Sequence, residues 1–181
     1  MPPVRPRDGG STRSTPRLLL ALAAVLLLAR VAAGVYEHAH PPQALDQVAW
    51  VDIDKADARA RSSHTAVLYD FSADWCPPCQ AMEREVFADR KAAATISSVF
   101  VPVRVIDRRR EDGRNAAVVD SLQRRFGVES FPTLVVFSPE AGRHESVSGY
   151  RGKKETLRLL QGAHARLMSP WKLKVGTGPA K

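Results

Sequence analysis

The chain has 181 residues, 44% hydrophobic and 25% charged, with two cysteines and 27 Lys+Arg against 19 Asp+Glu, a net charge of +8. That length suits one domain with short extensions, and the balance argues against wholesale disorder, a collagen-like repeat and a polytopic membrane protein. Two cysteines cannot staple a disulfide-rich scaffold or complete an all-cysteine zinc module, so their spacing decides what they do.

Residues 1–33 carry Arg5, Arg7, Arg13, Arg17 and Arg30 against Asp8 alone, so half of the net charge belongs to them. Leu18 to Ala29 is an uninterrupted apolar run behind four of these arginines; Arg30 breaks it and Val31 to Val35 resumes it. The pattern predicts a signal peptide or signal anchor over residues 1–36. Val31-Ala32-Ala33 offers the small residues a signal peptidase reads, which predicts cleavage near Ala33 or Gly34. Kept whole, Leu18 to Tyr36 is long enough to cross a bilayer, with Arg30 snorkelling to the headgroups. A buried core helix is the third reading. In both export readings the arginines keep the N-terminus in the cytoplasm and the rest of the chain lies outside, in the periplasm or on the outer side of the inner membrane. No cysteine closes the apolar run, unlike a lipoprotein, and the arginines are not adjacent, unlike a twin-arginine signal. Residues 37–48 read as a polar linker; His38 and His40 have a metal-binding spacing, but no further ligand lies near them in sequence.

Residues 49–167 alternate helix and strand patterns. A helix is expected over 52–62, with Asp54 available as its cap, and a buried strand over 66–71 (AVLYDF) interrupted by one acid, Asp70. Cys79, Met82 and Val86 recur at helical spacing from about Pro77 to Phe87, leaving Glu83, Arg84 and Glu85 for water. A second strand is expected at 99–106, with Pro102 pushing part of it towards an edge or a bulge. The run Arg108-Arg109-Arg110 is followed at once by Glu111 and Asp112 and has no interleaved aromatics, so it reads as a solvated loop, and no nucleic-acid partner is expected. A helix over 116–126, a strand over 133–137, a turn at 139–142, a weaker strand at 145–148 and an amphipathic helix over 154–167 complete the domain. Residues 168–181 read as a flexible tail. The alternation predicts an α/β fold, a central sheet of about four to five strands flanked by helices.

Trp75-Cys76-Pro77-Pro78-Cys79 follows a strand and opens a helix. Sulfurs three positions apart can close a small ring across the first turn. Cys76, at the helix start, meets the positive end of the helix dipole and free backbone N–H groups, which favours its thiolate and makes it the attacking sulfur. Cys79, one turn further in and more buried, is placed to attack a mixed disulfide. Pro77 and Pro78 fit a first helical turn but remove donors that would otherwise stabilise the thiolate. A structural bridge constrains little when it encloses two residues, and a metal would need more ligands, so redox chemistry is the favoured reading.

The segment DFSADWCPPC, Asp70 to Cys79, together with Phe131-Pro132-Thr133 ahead of an apolar strand, resembles the thioredoxin superfamily. ADWCPPCQAMEREVF is similar in particular to the C-terminal thioredoxin-like domain of bacterial transmembrane thiol:disulfide interchange proteins. The resemblance covers roughly residues 48 to 165 and implies a thioredoxin fold with a mixed sheet. It implies that Asp70 is a buried acid moving a proton from the resolving Cys79, and that Trp75 shields the disulfide. It further implies that Pro132 is cis and presents the Phe131 backbone to substrate, so that Trp75, Pro77, Pro78, Phe131 and Pro132 form the substrate-binding face. Gly149 matches a glycine that lets chains approach closely. Gln80 and the Pro-Pro dipeptide depart from the Lys and Gly-Pro of thioredoxins.

The expected protein is therefore an exported, monomeric thiol-disulfide oxidoreductase of the protein-disulfide reductase type. Cys76, Cys79 and Asp70 are its catalytic residues, and it needs no cofactor or metal beyond the redox-active disulfide. Its partners are disulfide-containing proteins and, if it is a reductant, a membrane electron donor; its membrane contact is the N-terminal segment if that is uncleaved. Reduction is preferred because no histidine separates the cysteines and because the resemblance is to a reducing domain. A disulfide oxidase or isomerase, and a non-catalytic metallochaperone or assembly factor, are the alternatives.

Overall fold

The computed structural model describes residues 15–39 and 46–169. The chain divides into two units, Met1–Gln43 and Ala44–Lys181. In the first, helix α1 spans Thr15–Ala39 and takes in the whole apolar run. Its segment Leu18–Val35 has a mean hydropathy of 2.5 and is long and apolar enough to cross a membrane. The helix continues three residues into the segment read as linker, and His40 lies outside the described residues.

The second unit holds α2 (Ile53–Ser62), β1 (Ala66–Ala73), α3 (Pro77–Met82) running into a π turn (Glu83–Phe87), α4 (Arg90–Val99), β2 (Phe100–Asp107), α5 (Arg109–Asp112), α6 (Ala117–Phe126), β3 (Thr133–Ser138), β4 (Arg143–Ser148) and α7 (Lys153–Leu167). The four strands form one mixed sheet in the order β2-β1-β3-β4, parallel between β1 and β2 and antiparallel elsewhere. This is the α/β architecture that the alternation predicts, with four strands.

Period-two alternation sorts the side chains of β1 into two cores. Ala66 and Leu68 face Met82, Val86 and Phe87 of the α3 and π segment, together with Ile96 of α4 and Leu160 of α7. Val67, Tyr69 and Phe71 face Ala56 and Ala60 of α2 and Val119, Leu122 and Phe126 of α6. The result is a sheet between two helical layers. β1 is central and buried almost throughout. Pro102 lies in the edge strand β2, as expected. Its missing N–H breaks no ladder bond there, because the N and O of one strand residue point to the same side and its carbonyl faces outward to the Val51 N–H at 2.8 Å.

Three local expectations change. The N-cap of α2 is Asp52, with Asp54 in the first turn. Residues 90–98, for which no element is expected, form α4 together with Val99, which is expected to open the second strand; the helix is capped by Asp89 Oδ1 accepting from the Ala92 N–H at 2.9 Å. The helix after the cysteines does not run regularly to Phe87 but widens into the π turn, closed by Ala88 N–H donating to Glu83 O at 2.9 Å.

Candidate active site

β1 ends at Ala73, and the chain turns through Asp74 and Trp75 so that Cys76 N–H donates back to Ala73 O at 3.1 Å. Cys76, in an extended conformation, is the N-cap of α3, with Pro77 and Pro78 as the first two helical residues. Prolines suit those positions because the N–H groups there have no partner inside the helix. They also leave the Cys79 N–H as the first-turn donor that reaches Cys76 Sγ, at 3.3 Å. Gln80 ties the preceding turn down through Nε2 donating to Asp74 O at 2.8 Å. Cys76 and Cys79 are joined in a disulfide, their Cα atoms 5.3 Å apart.

The expected difference in burial between the two sulfurs is absent: Cys76 is 3% exposed and Cys79 4%. Phe131 packs against the cluster of Ala73, Cys76 and Cys79. Position at the helix start, rather than exposure, therefore distinguishes Cys76. The Phe131–Pro132 peptide is cis. Pro132 is buried, and its carbonyl accepts from the Gly149 N–H at 2.8 Å. Gly149 has φ +78, and a methyl group added to its Cα would meet nothing within 4 Å. This site therefore requires glycine for its backbone conformation and not for a close approach.

Trp75 meets Phe131 edge to face at 6.2 Å between centroids. It is 43% exposed, so it stands at the rim of the disulfide as an open apolar surface. Pro77 and Pro78 are exposed beside it. The Arg108–Arg110 run is exposed, as expected, but it leads into the short helix α5 and each guanidinium has a partner. Arg108 pairs with Asp74 at 3.1 Å, Arg109 with Asp120 at 2.7 Å, and the Arg110 guanidinium lies 5.2 Å over the Trp75 ring. The anchor for this loop is Asp107, at the end of β2, which accepts from Asn115 Nδ2 at 2.6 Å, Gln123 Nε2 at 2.8 Å and Arg109 N–H at 3.1 Å. Burial pushes the Asp107 carboxyl up, but these donors outweigh it and hold it below the usual carboxylate range.

Asp70 is 1% exposed, in the middle of β1, on the strand face that carries α3 and the π turn. A carboxyl turned to solvent at the sheet end is thereby excluded. Its Oδ1 has no hydrogen-bond partner among the described residues. Its Oδ2 lies 3.7 Å from Arg104 Nε, beyond hydrogen-bond reach. Burial drives its pKa up to about 7, against the pull of Arg104 and with added push from Glu83 and Asp46. A carboxyl at that value can hold or release a proton near neutrality, which an exposed aspartate cannot.

The thioredoxin-like domain family model matches residues 53–164, the span that holds nearly all of this geometry. The chain belongs to the thioredoxin-like family. Over 85 residues it is 33% identical to thioredoxin H4 of Arabidopsis thaliana, covering 47% of this chain and 58% of that protein. It is 32% identical over 89 residues to thiol:disulfide interchange protein DsbD 2 of Pseudomonas aeruginosa, covering 49% of this chain and 14% of that one. The chain thus spans 58% of the first relative's length and 14% of the second's. Among solved structures, DsbH oxidoreductase superposes with a TM-score of 0.57 at 18% identity, over 67% of this chain and 88% of that one. A thioredoxin from Thermus thermophilus gives 0.51 at 27% identity, over 64% and 86%. Both agree with the four-stranded mixed sheet.

Within this thioredoxin-like domain the structure brings together Cys76, Cys79, Trp75, Phe131 and Pro132, and sets Asp70 on the same side of the sheet as the helix they open. Three further charged residues gather around Asp70. Arg104 is its cross-strand neighbour, Glu83 reaches Arg104 at 3.5 Å from the π turn, and Asp46 reaches it at 2.8 Å. Arg84 and Glu85 are exposed, as expected, Glu85 accepting there from the Tyr150 hydroxyl, whereas Glu83 is half-buried because the π turn carries it to Arg104. Arg104 carries no motif; the signal for it is the one basic residue in the otherwise apolar run from Phe100 to Ile106, in the strand beside the one that holds Asp70.

Proposed function

We propose that this protein is an exported thiol-disulfide oxidoreductase that reduces or exchanges disulfides in proteins outside the cytoplasm. In the reduced state the Cys76 thiolate attacks a substrate disulfide, forming a mixed disulfide and releasing one substrate thiolate. Cys79 then loses its proton to Asp70 and attacks Cys76 Sγ. The second substrate thiolate leaves, and the Cys76–Cys79 disulfide forms, so two electrons pass to the substrate. A separate dithiol donor at the membrane restores the reduced pair. The observation that carries this reading is the Cys76–Cys79 disulfide at the start of α3, on the face of the sheet that also buries Asp70. The relatives named as thiol:disulfide interchange proteins support it. The apolar helix Leu18–Val35 supports export, as a signal or as an anchor. Exposed Trp75, Pro77 and Pro78 beside the cis Phe131–Pro132 bond supply the face on which an extended substrate segment docks.

Insulin reduction by the dithiol-charged protein tests the assignment. Activity lost in Cys76→Ser, with a trapped mixed disulfide in Cys79→Ser, is the expected result. An inert wild type that binds copper stoichiometrically through reduced cysteines would replace it with a metal-carrier role. A dithiol potential near that of strong oxidants, about −120 mV, would reverse the direction of electron flow.

A further inference from the structure

We propose that Asp46 is a positioning residue for the buried acid: it holds the Arg104 guanidinium away from Asp70 and so keeps Asp70 able to take up and release a proton. Among the described residues the Arg104 guanidinium is the cation that faces Asp70, and three carboxylates compete for it. Its Nη1 lies 2.8 Å from Asp46 Oδ2 and 3.5 Å from Glu83 Oε1, whereas its Nε stands 3.7 Å from Asp70 Oδ2. Asp46 therefore holds it most closely.

The grip of Asp46 is built into the segment that precedes α2. Asp46 Oδ1 accepts from the Val48 N–H at 3.0 Å, and Oδ2 accepts from the Trp50 indole N–H as well as facing Arg104. The Trp50 ring in turn lies 4.4 Å from the guanidinium, and Phe87 lies 5.5 Å away. Gln47 N–H to Phe87 O at 2.9 Å, Ala49 N–H to Ser97 Oγ at 3.1 Å and Val51 N–H to Pro102 O at 2.8 Å fasten this strap to the π turn, α4 and β2. The charged groups around Asp70 are thus Arg104 from β2, Glu83 from the π turn and Asp46 from the strap; on β3 its cross-strand neighbour is Leu134.

The chemistry explains why the cation is withheld. A guanidinium bonded directly to a carboxylate fixes it in the charged form and makes it a poor base. A guanidinium held at a distance leaves desolvation dominant, and the acid titrates near neutrality. The catalytic meaning of this arrangement rests on the oxidoreductase reading above, but the arrangement itself does not.

The test is a carbon-13 NMR titration of the Asp70 carboxyl in the oxidised full-length protein in detergent, where no thiol titrates. Asp46→Asn should lower the Asp70 midpoint by about one pH unit, Asp46→Glu should restore it, and Arg104→Gln should raise it. In an Arg104→Gln background, Asp46→Asn should move the midpoint by less than about a third of that amount. An unchanged midpoint in Asp46→Asn overturns the proposal. So does an equal shift in both backgrounds, because Asp46 would then act by its own charge and not through Arg104. Should Asp46→Asn fail to fold, Trp50→Phe removes the indole donor and keeps a ring; it should shift the midpoint in the same direction by a smaller amount, and no shift overturns the proposal. Failure of insulin reduction with these midpoints intact would refute the oxidoreductase reading alone.

Discussion

Asp70 and Arg104 are direct neighbours across the β1–β2 ladder, yet 3.7 Å separates the carboxylate from the guanidinium nitrogen closest to it. A core carboxyl left without a bonded counter-charge is a cost to folding, and proteins keep such groups where they do chemistry. Cost and chemistry can be measured separately.

Asp70→Asn separates them. The folded-state pKa of Asp70, about 7, lies above the ordinary aspartate value, so between roughly pH 4 and 7 the folded protein binds a proton that the unfolded chain has lost. Stability contributed by the neutral carboxyl is fully present below the unfolded value and is lost as pH rises through about 7. Urea unfolding should therefore show the wild type losing stability across that window relative to Asp70→Asn. The variant should be the more stable at pH 8, by at most about 4 kcal/mol, the full shift converted at about 1.4 kcal/mol per unit. Its insulin reduction should fall about tenfold or more at neutral pH, since the amide cannot accept the Cys79 proton. Parallel pH profiles for the two proteins would remove Asp70 from the proton step.

Pro78 bears on the other ionisation. The Cys79 N–H donates to Cys76 Sγ at 3.3 Å, and the second helical position, which could also reach an N-cap acceptor, is a proline with no N–H to give. Pro78→Gly restores that donor. In the reduced protein the Cys76 thiolate should then form at lower pH, by roughly half a unit to one unit, since a bond to the charged form favours it. Thiolate absorbance against pH reads the midpoint directly; an unchanged or raised midpoint would show that the helix start does not stabilise this sulfur.

The redox pair and most strands are local features, and local patterns carry them. A C-x-x-C behind an apolar run, helical spacing of Cys79, Met82 and Val86, and Phe131-Pro132 ahead of a strand each lie within one short window. What surrounds Asp70 does not. Asp46, Glu83 and Arg104 come from three separate windows, and only the parallel register of β1 with β2, the π turn and the strap before α2 bring them to one carboxyl. The link between Trp75 and Arg110 is hidden for the same reason, being made by a loop 35 positions further along the chain. Helix α4 shows the limit of periodicity: Asp89 caps it three residues before Ala92, but Ala92, Ala93 and Ile96 make too small an apolar face to stand out.

Asp107 tests whether that loop depends on its anchor. The side chain is the shared acceptor of Asn115, Gln123 and the Arg109 backbone, and Asp107 is 7% exposed. Asp107→Ala leaves Gln123 and the Arg109 N–H without this acceptor and Asn115 Nδ2 with Asp120 Oδ1 at 3.0 Å, which should cost about 2 to 3 kcal/mol in urea unfolding. Amide hydrogen exchange should rise chiefly over residues 108–116, and Arg108 should lose its hold on Asp74 beside the cysteines. A uniform rise in exchange across the sheet would mean that Asp107 supports the whole domain and not this loop.

Gly149 provides the cleanest separation of backbone from packing. With φ +78 and open space around it, an added methyl group meets no atom, so any cost of Gly149→Ala comes from the left-handed conformation, about 1 to 2 kcal/mol. Asn, which tolerates that region better, should cost less. Urea midpoints ranked Gly, then Asn, then Ala would support this account, whereas equal losses for Asn and Ala would point to a steric cause. The same substitutions reach the active site, because the Gly149 N–H holds the carbonyl of Pro132 at 2.8 Å and Phe131 before it packs against the cluster of Ala73, Cys76 and Cys79. Gly149→Ala should therefore slow disulfide exchange more than its stability loss alone explains. It should leave the Asp70 midpoint where it is, since that midpoint is set by burial together with Arg104, Glu83 and Asp46.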